Sequence, residues 1–191
     1  MKRISTTNKE LALKIFSNTF SVHLLEQNIS PKNLVFICIG TPHIQGDSLG
    51  PLIGDLLQGY HMKDVHIYGT KEEPIHALNL QQRFSQIKQA HPDAYYIAVD
   101  AALGTKSHLG NICIQQGPLF PGAGVKKTLP PIGDLSITAI VCPHGPFYNK
   151  RLAWTPKRRV FTQAEIIASG ILHSLQMLSN LYKLPQREQA Y

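Results

Sequence analysis

The chain has little that could tie a fold together covalently: 3 Cys in 191 residues, Cys38, Cys113 and Cys142, with no Cys-x-x-Cys pair. An odd number of thiols, two of them inside apolar runs, argues against a disulfide framework or a zinc site and for reduced thiols in a core. Long apolar runs are missing too. The opening MKRISTTNKE turns polar straight after its basic pair, which leaves no apolar segment for a signal peptide. No later stretch approaches the roughly 18 apolar residues of a membrane span. The expected location is therefore the cytoplasm. Acids are scarce, with 12 Asp and Glu against 19 Lys and Arg, a formal net charge of +7. Clustered cations attract phosphates whatever the base sequence. Here Lys126-Lys127, Lys150-Arg151 and Lys157-Arg158-Arg159 are scattered, and none alternates with aromatics in a nucleic-acid motif. A solvated basic face is the reading, with no specific nucleic-acid motif and no membrane partner.

Repeats, low-complexity tracts and shifts of composition are also absent, so the whole of 1–191 reads as one domain. Thr7-Asn8-Lys9-Glu10 has capping-box spacing ahead of Leu11, Ile15 and Phe16, which predicts a helix over about 7–25. Leu34 to Ile39 is a short uninterrupted apolar run, the pattern of a strand buried on both faces. Pro51 to Tyr60 reads as a helix with Leu52, Ile53, Leu56 and Leu57 inward, and Val65 to Tyr68 as a second strand. Pro74, suited to a first turn, opens a helix whose Ile75, Leu78, Phe84 and Ile87 recur at helical spacing up to His91-Pro92. Ala94 to Val99 repeats the buried-strand pattern and stops at Asp100. Strands alternating with helices predict right-handed crossovers in a mostly parallel sheet.

Asn111 to Gln115 and Leu135 to Val141 read as further strands, separated by the Pro- and Gly-rich loop Gly117 to Gly133. A loop of that length inside a domain, when ordered, is often functional. Thr162-Gln-Ala-Glu165 is a second capping box, opening a final helix over about 162–184. The expected fold is a three-layer α/β/α sandwich with its core over about 34–141.

In open α/β sheets ligands bind beyond the carboxyl ends of the strands. That rule selects Thr41, His43 and Asp47 after the first strand, Glu73 and His76 after the second, Asp100 after the third and His144 after the last. Two carboxylates held close cannot easily both ionise; one keeps a proton while the other acts as base towards water. Asp47 and Asp100 are that candidate pair, suited to hydrolysing a peptide, with Thr41, Glu73 and His76 as candidate substrate-binding residues. The same oxygens suit a metal, with His144 or His76 as third ligand. Each residue also has a plain structural use. Asp47 precedes Ser48 where an N-cap is needed, and Asp100 can end a strand. Glu73 can complement a helix dipole, His76 can face solvent, and His144 can be a loop residue. Gly40, Gly46 and Gly50 lack both the G-x-G-x-x-G spacing and a Walker lysine, so they make no phosphate cradle.

Taken in order, Cys38-Ile-Gly-Thr41, Gly46-Asp-Ser-Leu-Gly-Pro51, Tyr68-Gly-Thr, Glu73-Pro-Ile-His-Ala-Leu-Asn79, Ala98-Val-Asp-Ala101, Gly117-Pro118, Pro121-Gly-Ala-Gly-Val125, Leu129-Pro130 and Gly133-Asp-Leu-Ser-Ile-Thr138 resemble the YyaC-type sporulation proteins. That family is similar to the germination proteases of spores and, more distantly, to the hydrogenase maturation endopeptidases. The resemblance implies a phosphorylase/hydrolase-like α/β/α fold and a peptidase of germination-protease type, with Asp47 and Asp100 on the positions of the catalytic aspartates. It implies peptide or protein substrates, small acid-soluble spore proteins among them, a forespore or spore-core location and no cofactor. Through the hydrogenase proteases it implies the alternative of a divalent metal such as nickel held by Asp47, Asp100 and His144. A non-catalytic spore protein that binds a partner through the same cleft, and a homo-oligomer, are compatible with it. The stretch Cys142 to Arg159 departs from the more apolar segment of the family.

Overall fold

All five residues of Leu34–Cys38 are buried, and alternate side chains of a strand point to opposite faces, so this segment requires a layer on each side. A computed structural model, describing residues 1–30, 33–60, 62, 64–121 and 129–183, supplies both layers. The elements in chain order are β1 (Lys2–Ile4), α1 (Lys9–Glu26), β2 (Leu34–Cys38), α2 (Leu49–Gln58), β3 (Val65–Tyr68), α3 (Leu80–Ala90), β4 (Tyr95–Gly104), β5 (Ile112–Gln116), β6 (Leu135–Pro143), α4 (Tyr148–Ala153) and α5 (Lys157–Lys183). The six strands form one sheet in the order β1-β5-β6-β4-β2-β3. β3, β2, β4 and β6 run parallel, and β5 and β1 add an antiparallel edge. The fold is α/β with a mostly parallel sheet, as the run of elements predicts.

The two faces are unequal. Leu34, Phe36 and Cys38 of β2, with Ile97 and Val99 of β4, enter a large core completed by α1, α2 and α5. Phe16, Phe20 and Phe36 pack in succession through it, with ring centres 6.1 and 6.3 Å apart. Each such aromatic contributes roughly 1.5–3 kcal/mol by leaving water. On the opposite face Val35, Ile37, Tyr96 and Ala98 meet Leu80 and Ile87 of α3 in a much smaller core.

Several elements differ from expectation for identifiable reasons. α1 is capped by Asn8, whose Oδ1 accepts from Leu11 N at 3.0 Å, one residue after the Thr7 of the expected box. α2 starts two residues ahead of Pro51, which sits in its first turn. Pro74 opens no helix. Ile75 pairs in parallel with Ile39, the chain turns, and α3 begins only at Leu80, leaving Leu78 84% exposed where an inward position is expected. β4 runs on through Asp100 to Gly104, because its partner β6 continues beside it to Pro143. α5 starts at Lys157, after Pro156, and buried Val160 and Ala164 carry its apolar stripe upstream. Thr162 therefore lies inside the helix and caps nothing, while Glu165 bonds Lys9 at 2.9 Å. β1 and α4 have no counterpart among the expected elements. Of the loop Gly117 to Gly133, residues 122–128 lie outside the described residues, Gly122, Gly124, Lys126 and Lys127 included; Leu184, the expected helix end, does too. Among the described residues no helix is long and apolar enough to cross a membrane. The three cysteines are buried and free.

Candidate active site

β2 passes its register to the loop beyond it: Ile39 N donates to Val99 O and Gly40 N to Ile75 O, both at 2.7 Å. Gly40 then turns the chain at a φ of +142°, and a Cβ on it would lie 2.0 Å from Asp47 O, so only glycine fits. At the start of α2 a Cβ on Gly50 would lie 2.1 Å from Ile39 O, which seats this helix directly on the end of β2. Between these two glycines the loop folds back on itself. Thr41 N donates to Asp47 Oδ2 at 3.0 Å, and Gly46 N donates to Leu152 O of α4 at 2.8 Å. Asp47 is thus no N-cap. Ser48 flanks the helix, and its hydroxyl donates to Gln45 O at 2.7 Å instead of capping.

Asp100 reaches the same place from inside β4. It is paired in register with Thr138 of β6 and, by the two-residue period of a strand, lies on the face of Tyr96 and Ala98. It does not end its strand. Its Oδ1 accepts from Ala101 N at 2.7 Å. Asp47 and Asp100 line one cleft of about 330 Å3, shared with His76, Thr138 and His144 and walled by apolar side chains including Ile44, Leu80, Leu119, Leu129 and Leu152.

Electrostatics couples the two acids. Burial pushes the Asp100 carboxyl well above the usual carboxylate range, the charge of Asp47 adds to the rise, and the Ala101 N–H opposes it. Burial raises Asp47 as well, against the Thr41 N–H and the positive pull of His76. Two carboxyls that feel each other in a poorly solvated cleft do not readily ionise together.

His76 is anchored by the turn that replaces the expected helix start. Its N donates to Asn79 Oδ1 at 2.8 Å, Asn79 Nδ2 donates to Pro74 O at 3.0 Å, and Leu78 N donates to His76 Nδ1 at 3.4 Å. With Nδ1 accepting, the neutral ring carries its proton on Nε2. His144 is exposed in the loop after β6, its N donating to Gly104 O at 2.8 Å.

The structure brings Asp47, Asp100, His76 and His144 to one cleft and leaves Glu73 and Thr41 off its lining. Glu73 is exposed, pairs with Arg83 at 3.1 Å and borders a separate hollow with Pro74 and Asn79. Thr41 serves through its backbone, while its hydroxyl accepts from His43 N at 3.4 Å. Among the described residues no three His, Cys, Asp or Glu side chains converge in a way that could hold a metal ion. Asp47, Asp100 and His144 share the cleft lining and form no such group among the described residues. Sequence reasoning missed Thr138, Tyr148, Asn149 and Leu152, which also line the cleft. Thr138 was accessible through strand alternation opposite Asp100. The other three lie on α4, whose single turn and a half gives no periodic signal.

The family described as "Protein of unknown function (DUF1256)" matches residues 4–170. The uncharacterized protein YyaC of Bacillus subtilis (strain 168) is 41% identical over 140 residues, covering 73% of this chain and 68% of that protein. The resemblance to YyaC-type proteins expected from the motifs therefore holds. Among solved structures, the NiFe hydrogenase maturation protease HycI from Thermococcus kodakarensis KOD1 aligns over 75% of this chain and 98% of its own, at 21% identity and a TM-score of 0.44.

Proposed function

The chain belongs to the DUF1256 family, and on that premise we propose that it is a peptidase in which Asp47 and Asp100 share a proton and activate a water. The observation that carries this reading is the cleft itself: two acids from separate loops and strands line it, and Asp100 is raised both by burial and by the charge of Asp47. In this reading the ionised carboxyl takes a proton from water as its oxygen attacks the peptide carbonyl carbon. The protonated carboxyl donates to the carbonyl oxygen, giving a gem-diol; as the C–N bond breaks, the proton gained from water passes to the leaving amine and a gem-diol hydroxyl returns its proton to the carboxylate that had donated it. One oxygen of each acid is engaged by a backbone N–H, Asp47 Oδ2 by Thr41 and Asp100 Oδ1 by Ala101. The other oxygen has no hydrogen bond among the described residues, which leaves it for water and substrate. In the same reading His76, which lines the cleft, binds a substrate carbonyl.

The substrates to test first are small acid-soluble spore proteins, in keeping with a role in the forespore. Asp47→Asn and Asp100→Asn, made singly, should each reduce cleavage by about 100-fold or more, the usual scale for removing a general acid or base. Cleavage at the wild-type rate in both variants would remove the reading. A second reading, a partner-binding protein without turnover, is favoured by the position of Glu73 and Thr41 off the cleft lining, which removes two of the expected substrate-binding groups. It predicts saturable peptide binding with no product formed by the wild-type protein.

A further inference from the structure

From Leu135 to Ala164 the chain carries no Asp or Glu, yet Lys150, Arg151, Lys157, Arg158 and Arg159 fall within that stretch. Folding sorts its side chains. Tyr148 and Leu152 of α4 line the aspartate cleft. On the outside Phe147, Trp154 and Phe161 are 74%, 86% and 50% exposed, with exposed Lys150, Arg151, Lys157 and Arg158 interleaved among them. The Lys150 ammonium lies 5.9 Å from the centre of the Phe147 ring. Two of the cations serve the fold: Arg159 donates to Val141 O at 2.9 Å and Arg151 to His144 O at 3.3 Å. None of the five has a carboxylate within 4.0 Å among the described residues. Lys157, Arg158 and Phe161 also border a hollow of about 550 Å3 with Lys71.

This is an unusual use of surface. Cations in the first turn of α5 oppose the dipole of their own helix, a local cost that no neighbouring acid relieves. Such violations of local preference gather at functional sites. Large aromatics left in water beside unpaired cations mark a contact surface better than a solvated face.

We propose that the ridge formed by α4 and the first turn of α5 is a docking surface for an acidic polypeptide segment that also carries apolar side chains. Charge complementarity selects the acidic residues, and the exposed rings give the apolar ones a place to bury. A polypeptide fits better than a nucleic acid or a bilayer because exposed rings interleaved with cations call for apolar side chains and acids in one chain; α4 also walls the aspartate cleft, which in the peptidase reading holds such a chain. The route through the cleft rests on the peptidase reading; the docking itself does not.

Trp154 is the chain's one tryptophan, so its emission reports on the ridge without a label. The protein is titrated with a capped peptide alternating glutamate and leucine. Parallel arms use a lysine–leucine peptide, a single-stranded oligonucleotide and phosphatidylglycerol vesicles. The expected result is a saturable change with the glutamate–leucine peptide alone. That affinity should fall at least about tenfold in the exposed-site variant Lys157→Glu/Arg158→Glu and decline with added salt, as screened surface charges require. Absence of a saturable change, an equal response to the lysine–leucine peptide, tighter binding of the oligonucleotide or vesicles, or unchanged affinity in a charge-reversed variant whose melting matches wild type would each overturn the docking surface. Docking by a protein that cleaves nothing removes the peptidase reading and leaves the ridge. Cleavage indifferent to charge reversal does the opposite.

Discussion

Asp100 is an acid whose native state prefers to keep its proton, and this has a definite sign in stability. An unfolded aspartate loses its proton near pH 4. Below that both states are protonated and Asp100 costs nothing. As pH rises, the unfolded chain releases the proton while the native cleft retains it, so stability declines through the window between the unfolded value and the raised native one. Asparagine at 100 has no proton to lose. The Tm difference between Asp100→Asn and wild type should therefore be small near pH 4 and grow in favour of the variant as pH rises above it. A difference that shrinks with rising pH would contradict the raised carboxyl. At this scale the acids were readable in the sequence, since Asp47 and Asp100 follow buried apolar runs and the carboxyl ends of parallel strands gather loops in one place. Glu73 was not readable. The rule that places ligands beyond strand ends selects it after the second strand, whereas Ile75 is held by Ile39 and the acid faces outward to Arg83.

The element that positions the pair is α2, set against the end of β2 by the absence of a side chain at Gly50. Gly50→Ala would force a methyl to within 2.1 Å of Ile39 O, a backbone atom with no rotamer to relieve the contact. Overpacking of this kind costs about 1–3 kcal/mol. Thermal melting should register that loss, and titration of the aspartates by NMR should show Asp47 and Asp100 responding to each other less than in wild type. Retained coupling would mean that the loop, not the helix, sets their separation. The elements legible beforehand are those long enough to show a period or buried enough to show none, such as β2, β4 and the stripe of α5. β1 and α4 are shorter than any period can reveal, and β1 exists only because β5 offers it an edge. The start of α5 was misplaced because Thr162 to Glu165 imitates a cap in the middle of a helix.

Across the whole molecule the sheet is unevenly covered. Its large face carries α1, α2 and α5, while among the described residues α3 alone supplies the helical cover of the small face, with Leu80 and Ile87 as its buried anchors. Regions with few buried apolar contacts open most readily. Backbone amides of α3 should exchange with solvent faster than those of α1 and α5, and a ligand filling the cleft, which Leu80 borders, should slow them. Equal protection of all the helices would show that the small face is as firmly held as the large one.

The pairing of early with late chain segments also bears on how the protein is made. Lys9 meets Glu165, Ser174 donates its hydroxyl to the carbonyl of Ser17, and Lys2 is in register with Ile114. On a ribosome the first helix therefore leaves the exit tunnel long before the partner that covers it has been translated. Through most of synthesis Phe16 and Phe20 have no finished core to enter, and a chaperone that recognises aromatic surface has that interval in which to hold the nascent chain.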